Sequence, residues 1–195
     1  MNLRRRAPLA LVLAACTAAG AAAAPATPAQ REPELKTLLQ RILSNADCFA
    51  DRYEAEVWHK AMEPRLQRFV PTYEERVDIL DHVYCEAKRD PDLQLPPDLV
   101  LAVIEVESRF DRWAVSPAGA VGLMQVMPFW PNELGMQNEL VRVAPNIRIG
   151  CEILRFYLRA EHRNWTRALA RYNGSAGRST YPELIMNRWR RVWRF

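Results

Sequence analysis

The chain has 195 residues, enough for one domain with a real core and short for two. About half of them are apolar and only seven are Gly, which excludes a low-complexity or fibrous protein. The formal charge of +4 leans on Arg4, Arg5 and Arg6; without these three the 27 basic residues become 24 against 23 acidic ones, and a nucleic-acid partner loses its main support.

The N-terminus, "MNLRRRAPLALVLAAC", is a basic stretch followed by a short apolar one, the pattern of a secretory signal and too short to span a bilayer. Two readings of its end stay open. Residues 1–24 form a cleaved signal peptide, or a lipoprotein signal ends at 15 and leaves Cys16 to carry lipid. Either way the destination is outside the cytoplasm, and residues 25–32 read as a flexible Ala/Pro tether.

From there the pattern is helical. Leu35, Leu38, Leu39 and Ile42 share one face of a first helix, and "RYEAEVWHKAMEPRLQRF" holds a second that Pro64 kinks or splits. "TYEERVDILDHVYCEAKR" opens with Thr72 and Glu75 in capping-box spacing and ends in basic residues. Residues 33–90 thus make an N-terminal helical extension to a domain over 91–195. Pro96 and Pro97 pre-set the start of the next helix, Leu99–Ser108. An irregular stretch follows, broken by Pro117, Gly119 and Gly122. "NIRIGCEILRFYLRAEH", "WTRALARYN" and "YPELIMNRWRRVW" are helical again. The basic cluster "NRWRRVWRF" reads as the solvated face of an amphipathic helix rather than a phosphate-binding patch. No alternating run suggests a sheet, so the expectation is one all-α domain.

Beyond Cys16, Cys48, Cys85 and Cys151 are spaced by 37 and 66 residues, and His59, His82 and His162 are scattered, so no metal site is expected. In an oxidising compartment one disulfide is reasonable. Cys151 shares an apolar stripe with Ile147, Leu154 and Leu158, whereas Cys85 lies beside Asp78, Asp81 and His82; the pairing expected is Cys48–Cys151, against three free thiols.

The helix "LVLAVIEVES" carries two carboxylates at the end of an aliphatic run. Residues three, four and seven apart share a helix face. Glu105 therefore sits with Asp98, Leu101 and Ala102, a face with a polar member that reaches water. Glu107 sits with Val100, Val103 and Ile104, wholly aliphatic. A carboxyl ending an aliphatic stripe is desolvated and holds its proton nearer neutrality, which suits a general acid. Spacing equally allows a plain helix-end residue paired with Arg109 or Arg112.

The neighbours add to this. Glu107-Ser108, the turn Ser116-Pro117-x-Gly119-Ala120, Gly122-Leu123-Met124-Gln125 and Tyr172-Asn173 follow in order. Over about residues 95–183 this resembles the lytic transglycosylases with a soluble-lytic-transglycosylase (SLT), goose-lysozyme-like domain. Arg171, where the family often has Ala, and Gly174-Ser175 depart from it.

The resemblance implies an all-α, lysozyme-like SLT-type fold and cleavage of the MurNAc–GlcNAc β-1,4 bond of peptidoglycan, leaving 1,6-anhydro ends. Glu107 would act first as acid and then as base. Ser108, Ser116, Met124, Gln125, Tyr172, Asn173 and Tyr181 would bind substrate, and Asp111 would be structural. It implies no cofactor, glycan strands as the partner, a monomer, and membrane attachment only through a lipidated Cys16. The place would be the periplasm of a Gram-negative bacterium, as a soluble protein or an outer-membrane lipoprotein. A hydrolase on the same fold and a non-catalytic wall-binding protein are the alternatives.

Overall fold

Leu99 to Ile104 are six consecutive buried residues, so the helix that carries them is apolar all round and has to run through the centre of the molecule. The computed structural model describes residues 52–130 and 139–195. Helices α1 (Arg52–Leu66) and α2 (Tyr73–Lys88) lead into the central α3 (Pro97–Ser108). After an irregular loop and a single 3-10 turn (Glu139–Val141) come α4 (Val143–Ala160), α5 (Trp165–Tyr172) and α6 (Thr180–Arg188), which runs on into a π-turn (Trp189–Trp193). Among the described residues no strand forms, only two isolated bridges, Val115 to Val121 and Val121 to Val126. The molecule is all-α.

Local chemistry sets most helix ends. Pro97 stands at the first position of α3, where its missing N–H costs nothing, and Arg109 closes the helix in the left-handed conformation (φ 55°). Asn164 caps α5, its side chain accepting from Arg167 N at 3.0 Å. Two expectations fail. Pro64 does not split α1, because it falls in the last turn, where the helix is ending anyway. Thr72 makes no side-chain cap to α2. The Arg76 guanidinium instead fastens the first turn of α2 to the preceding connector and to α1, donating to Val70 O and Pro71 O at 2.8 and 2.6 Å and to Glu63 at 2.6 Å.

The α3 helix packs against α2, α6 and the π-turn, and α4 against α2 and α5. One apolar core runs from Trp58 of α1 to Trp193 of the π-turn, so residues 52–88 share their interior with the rest. Buried charges are paired where they occur. Arg155, fully buried on α4, donates to Leu93 O, to Glu86 O and to the Glu152 carboxylate, which ties α4 to the end of α2. Burial pushes the Glu86 carboxyl up, but Arg89 at 2.5 Å and Arg148 at 3.0 Å outweigh it and hold the group below the usual carboxylate range.

The disulfide expectation is corrected. Cys151 is a free thiol, fully buried in the α4 stripe, and burial pushes its pKa far up, towards an inert thiol. Cys85 is the disulfide-bonded cysteine, with its partner outside the described residues. The helix expected around Leu35–Ile42, together with Cys16 and Cys48, lies outside the described residues.

Candidate active site

Glu105 and Glu107 leave α3 in opposite directions. Contrary to the expectation that its face reaches water, Glu105 is 4% exposed and sits under the π-turn. It accepts from Arg188 on one oxygen and from Trp193 Nε1 at 2.7 Å on the other. The periodic pattern placed Glu105 beside Asp98 correctly. It could not show that the C-terminal segment covers that face, and Asp98 is itself buried there, accepting from Phe195 N at 3.1 Å.

Glu107 faces the other way. Its partner among the described residues is the Tyr181 hydroxyl of α6, which donates to Glu107 Oε1. Arg109 instead lies over the Phe69 ring, and Arg112 donates to Val141 O at 2.9 Å. Without a nearby cation, burial pushes the Glu107 carboxyl up to about 7, and the Tyr181 hydrogen bond offsets this only in part. The group is neutral in a large fraction of molecules at neutral pH.

The loop between α3 and the 3-10 turn is a small scaffold of its own. Gly119 N donates to Ser116 O at 2.8 Å, closing the Ser-Pro-x-Gly turn, and Val121 and Val126 exchange hydrogen bonds at 2.9 and 3.0 Å around Gly122–Gln125. Gly122 has a φ of +78°, and a Cβ there would lie 2.4 Å from both Asn146 Nδ2 and Leu140 O. Asn146, on the first turns of α4 and 1% exposed, holds this loop with three hydrogen bonds: it accepts from Met124 N at 2.7 Å and donates to Val121 O and Leu140 O at 2.9 Å.

A cleft of about 420 Å³ opens between this loop, α4 and α5. It gathers Glu107, Ser116, Gln125, Tyr172 and Asn173 from the sequence-derived set. Phe129, Trp130, Tyr157 and Arg171 also line it; Ile153 and Tyr157 come from one face of α4. Among the described lining residues Glu107 is the one carboxylate. Asp111 stays outside, accepting from Trp113 N at 2.8 Å, a turn-forming role as expected.

Three members of the set have other geometry. The Met124 side chain is fully buried against Gly150, whose added Cβ would meet its sulfur at 2.5 Å, so it contributes to the core and not to the cleft wall. The Ser108 hydroxyl donates back to Leu123 O at 2.8 Å, fastening α3 to the loop. Tyr172 lines the cleft, but its hydroxyl donates to Met124 O at 2.8 Å, so its ring is the part turned to a ligand. Asn146 was missed from the sequence. Its signal was available: one polar residue on the apolar stripe with Ile149, Gly150 and Ile153.

The fold and site define an all-α domain with an isolated neutral carboxyl at the floor of a partly aromatic cleft. The chain belongs to the transglycosylase SLT domain family, whose model matches residues 85–183. Among curated proteins it is similar to the membrane-bound lytic murein transglycosylase C of Actinobacillus pleuropneumoniae serotypes 5b and 3, 56% identical over 34 residues in each case. That match takes in 17% of this chain and 9% of the relatives' length. Among solved structures, the 70 kDa soluble lytic transglycosylase of Escherichia coli is similar at 18% identity and a TM-score of 0.42, covering 78% of this chain and 27% of that one.

Proposed function

We propose that the protein is a peptidoglycan lytic transglycosylase that cleaves the MurNAc–GlcNAc β-1,4 bond without water. The observation that carries this reading is the Glu107 carboxyl, held up to about 7 in a cleft whose described lining has no second carboxylate. A glycosidase that uses water or a covalent intermediate places two carboxyls across the scissile bond. A single carboxyl suffices when the nucleophile is the substrate's own hydroxyl.

Glu107 gives its proton to the glycosidic oxygen as the C1–O bond breaks and positive charge grows on the MurNAc ring. The carboxylate left behind takes the proton of the same residue's 6-hydroxyl as that oxygen bonds to C1. The acid is regenerated and the new end is a 1,6-anhydro sugar. Tyr181, donating to Glu107 Oε1, orients the carboxyl and steadies its charged form between the two steps. Ser116, Gln125 and Asn173 supply polar contacts to the glycan, and the Tyr172 ring with Phe129 and Trp130 supplies apolar faces. The signal-like N-terminus and the relatives' description as membrane-bound support a periplasmic enzyme, attached to a membrane only if Cys16 carries lipid.

The test is mass spectrometry of fragments released from purified sacculi by the wild type and by Glu107→Gln. Anhydro-ended muropeptides from the wild type alone are expected. Reducing ends would replace this reading with a hydrolase, and binding without release by either protein would replace it with a wall-binding role.

A further inference from the structure

Many arginines among the described residues meet a carboxylate. Arg76 pairs with Glu63 at 2.6 Å, Arg148 with Glu86 at 3.0 Å, and Arg167 with Glu161 at 2.6 Å. One groove departs from that habit. Between the end of α1 and the π-turn, Pro64, Arg65, Arg68, Arg191 and Val192 line a depression of about 310 Å³ that no carboxylate lines. Glu63, two residues before Arg65, is engaged by Arg76, and under the π-turn Glu105 is engaged by Arg188 and Trp193 and Asp98 by two backbone N–H groups.

Two of these guanidiniums are also held in place. Arg65 Nη1 donates to Val192 O and Arg194 O at 3.1 and 3.2 Å, and Arg68 stacks on the Phe69 ring at 4.7 Å. Like charges gathered this way repel one another, so the arrangement favours an anion coming between them. The guanidinium fork matches a phosphate in shape and charge. Next to the groove, Phe195 is 61% exposed, and its ring meets Trp58 edge-on at 5.9 Å. Fixed arginines beside an exposed aromatic suit the boundary between headgroups and acyl chains, where the charge meets phosphate and the ring meets hydrocarbon.

We propose that this groove docks the protein on the phosphate headgroups of an anionic membrane. The cleft stays open when it does so, because the π-turn covers the Glu105 face of α3 while Glu107 opens from the other face. The C-terminal basic cluster is therefore divided. Arg188 turns inward to Glu105, and Arg191 forms part of the docking surface, so a uniform solvated face does not describe it.

The experiment is co-sedimentation of the secreted chain, carrying Cys16→Ser so that no acyl chain contributes, with phosphatidylcholine vesicles with and without phosphatidylglycerol. Binding is expected only with phosphatidylglycerol and weakens as salt rises. The double variant Arg68→Gln/Arg191→Gln, which leaves the backbone-bonded Arg65 in place, is expected to bind about 25-fold more weakly, at about fivefold per lost surface charge. Arg191→Gln, at an exposed position, is the milder companion should the double variant fail to fold, with about fivefold expected. No binding by the wild type, equal binding to both vesicles, or unchanged binding by the variants would overturn the proposal. So would an arginine-dependent loss seen on isolated sacculi and not on vesicles, which would make the wall the partner.

Discussion

Glu105 and Glu107 stand two residues apart on α3 and differ in almost everything that matters to a carboxylate. Glu105 is the more deeply buried, yet Arg188 and Trp193 satisfy both its oxygens, so its charge is compensated and it serves as an anchor for the C-terminal segment. Glu107 is less buried and has only a tyrosine hydroxyl as partner, so burial acts on it unopposed by any cation. The contrast teaches that depth does not make a buried carboxyl reactive. What its neighbours leave uncompensated does.

The comparison breaks if the two residues respond alike to substitution. The largest effect is expected from Glu107→Gln, which removes the transferable proton: release of muropeptides should fall by about a thousandfold or more, while the circular dichroism spectrum stays native. Glu105→Ala should do the reverse. It leaves Trp193 Nε1 and Arg188 unpartnered, and since Arg188 is 41% exposed we expect a loss of about 3 kcal/mol in urea unfolding, with activity per folded molecule little changed.

The scaffold behind Glu107 is tested next. Gly122→Ala places a methyl group 2.4 Å from two polar atoms at a positive φ, and should lose about 2–3 kcal/mol together with part of the activity as the loop shifts. A pH experiment sharpens the contrast further. Glu107 binds its proton more tightly folded, at about 7, than in the open chain, at 4.5, so folding stability should fall as pH rises through that window. Glu107→Gln should therefore match the wild type near pH 4 and exceed it by about 2 kcal/mol near pH 8, a figure reduced for the group's partial exposure. The same titration turns the acid off, so turnover should decline above about pH 7. The smallest effect is expected from Tyr181→Phe: loss of a donor to the charged form should move that decline upward by less than about one pH unit.

Much of this was legible in advance. The apolar run of α3, the Pro97 start, the α4 stripe and the desolvation of Glu107 all follow from local periodicity, which needs only a helix and an interior. Glu105 was misread for the same reason, because a helix face does not say what covers it. The Cys48–Cys151 pairing failed because pointing inward is the wrong criterion for a bond that needs two segments to meet. Met124 and Asn146 show the other side of this. Motif spacing placed Met124 in the site, but the close approach of Gly150 turned its side chain into the core, and Asn146 carries the loop from 22 residues away.

The sequence by itself pointed to an all-α fold, to the segment that bears the family's motifs and to Glu107 as its desolvated carboxyl, because helix periodicity and an ordered motif are local properties. Only the tertiary structure decided which carboxylate is compensated, which thiol stays free, that Tyr181 from α6 reaches Glu107 across 74 residues, and that three arginines share one groove. Those outcomes depend on which surfaces meet, and contact between distant segments is set by the packing of the whole core.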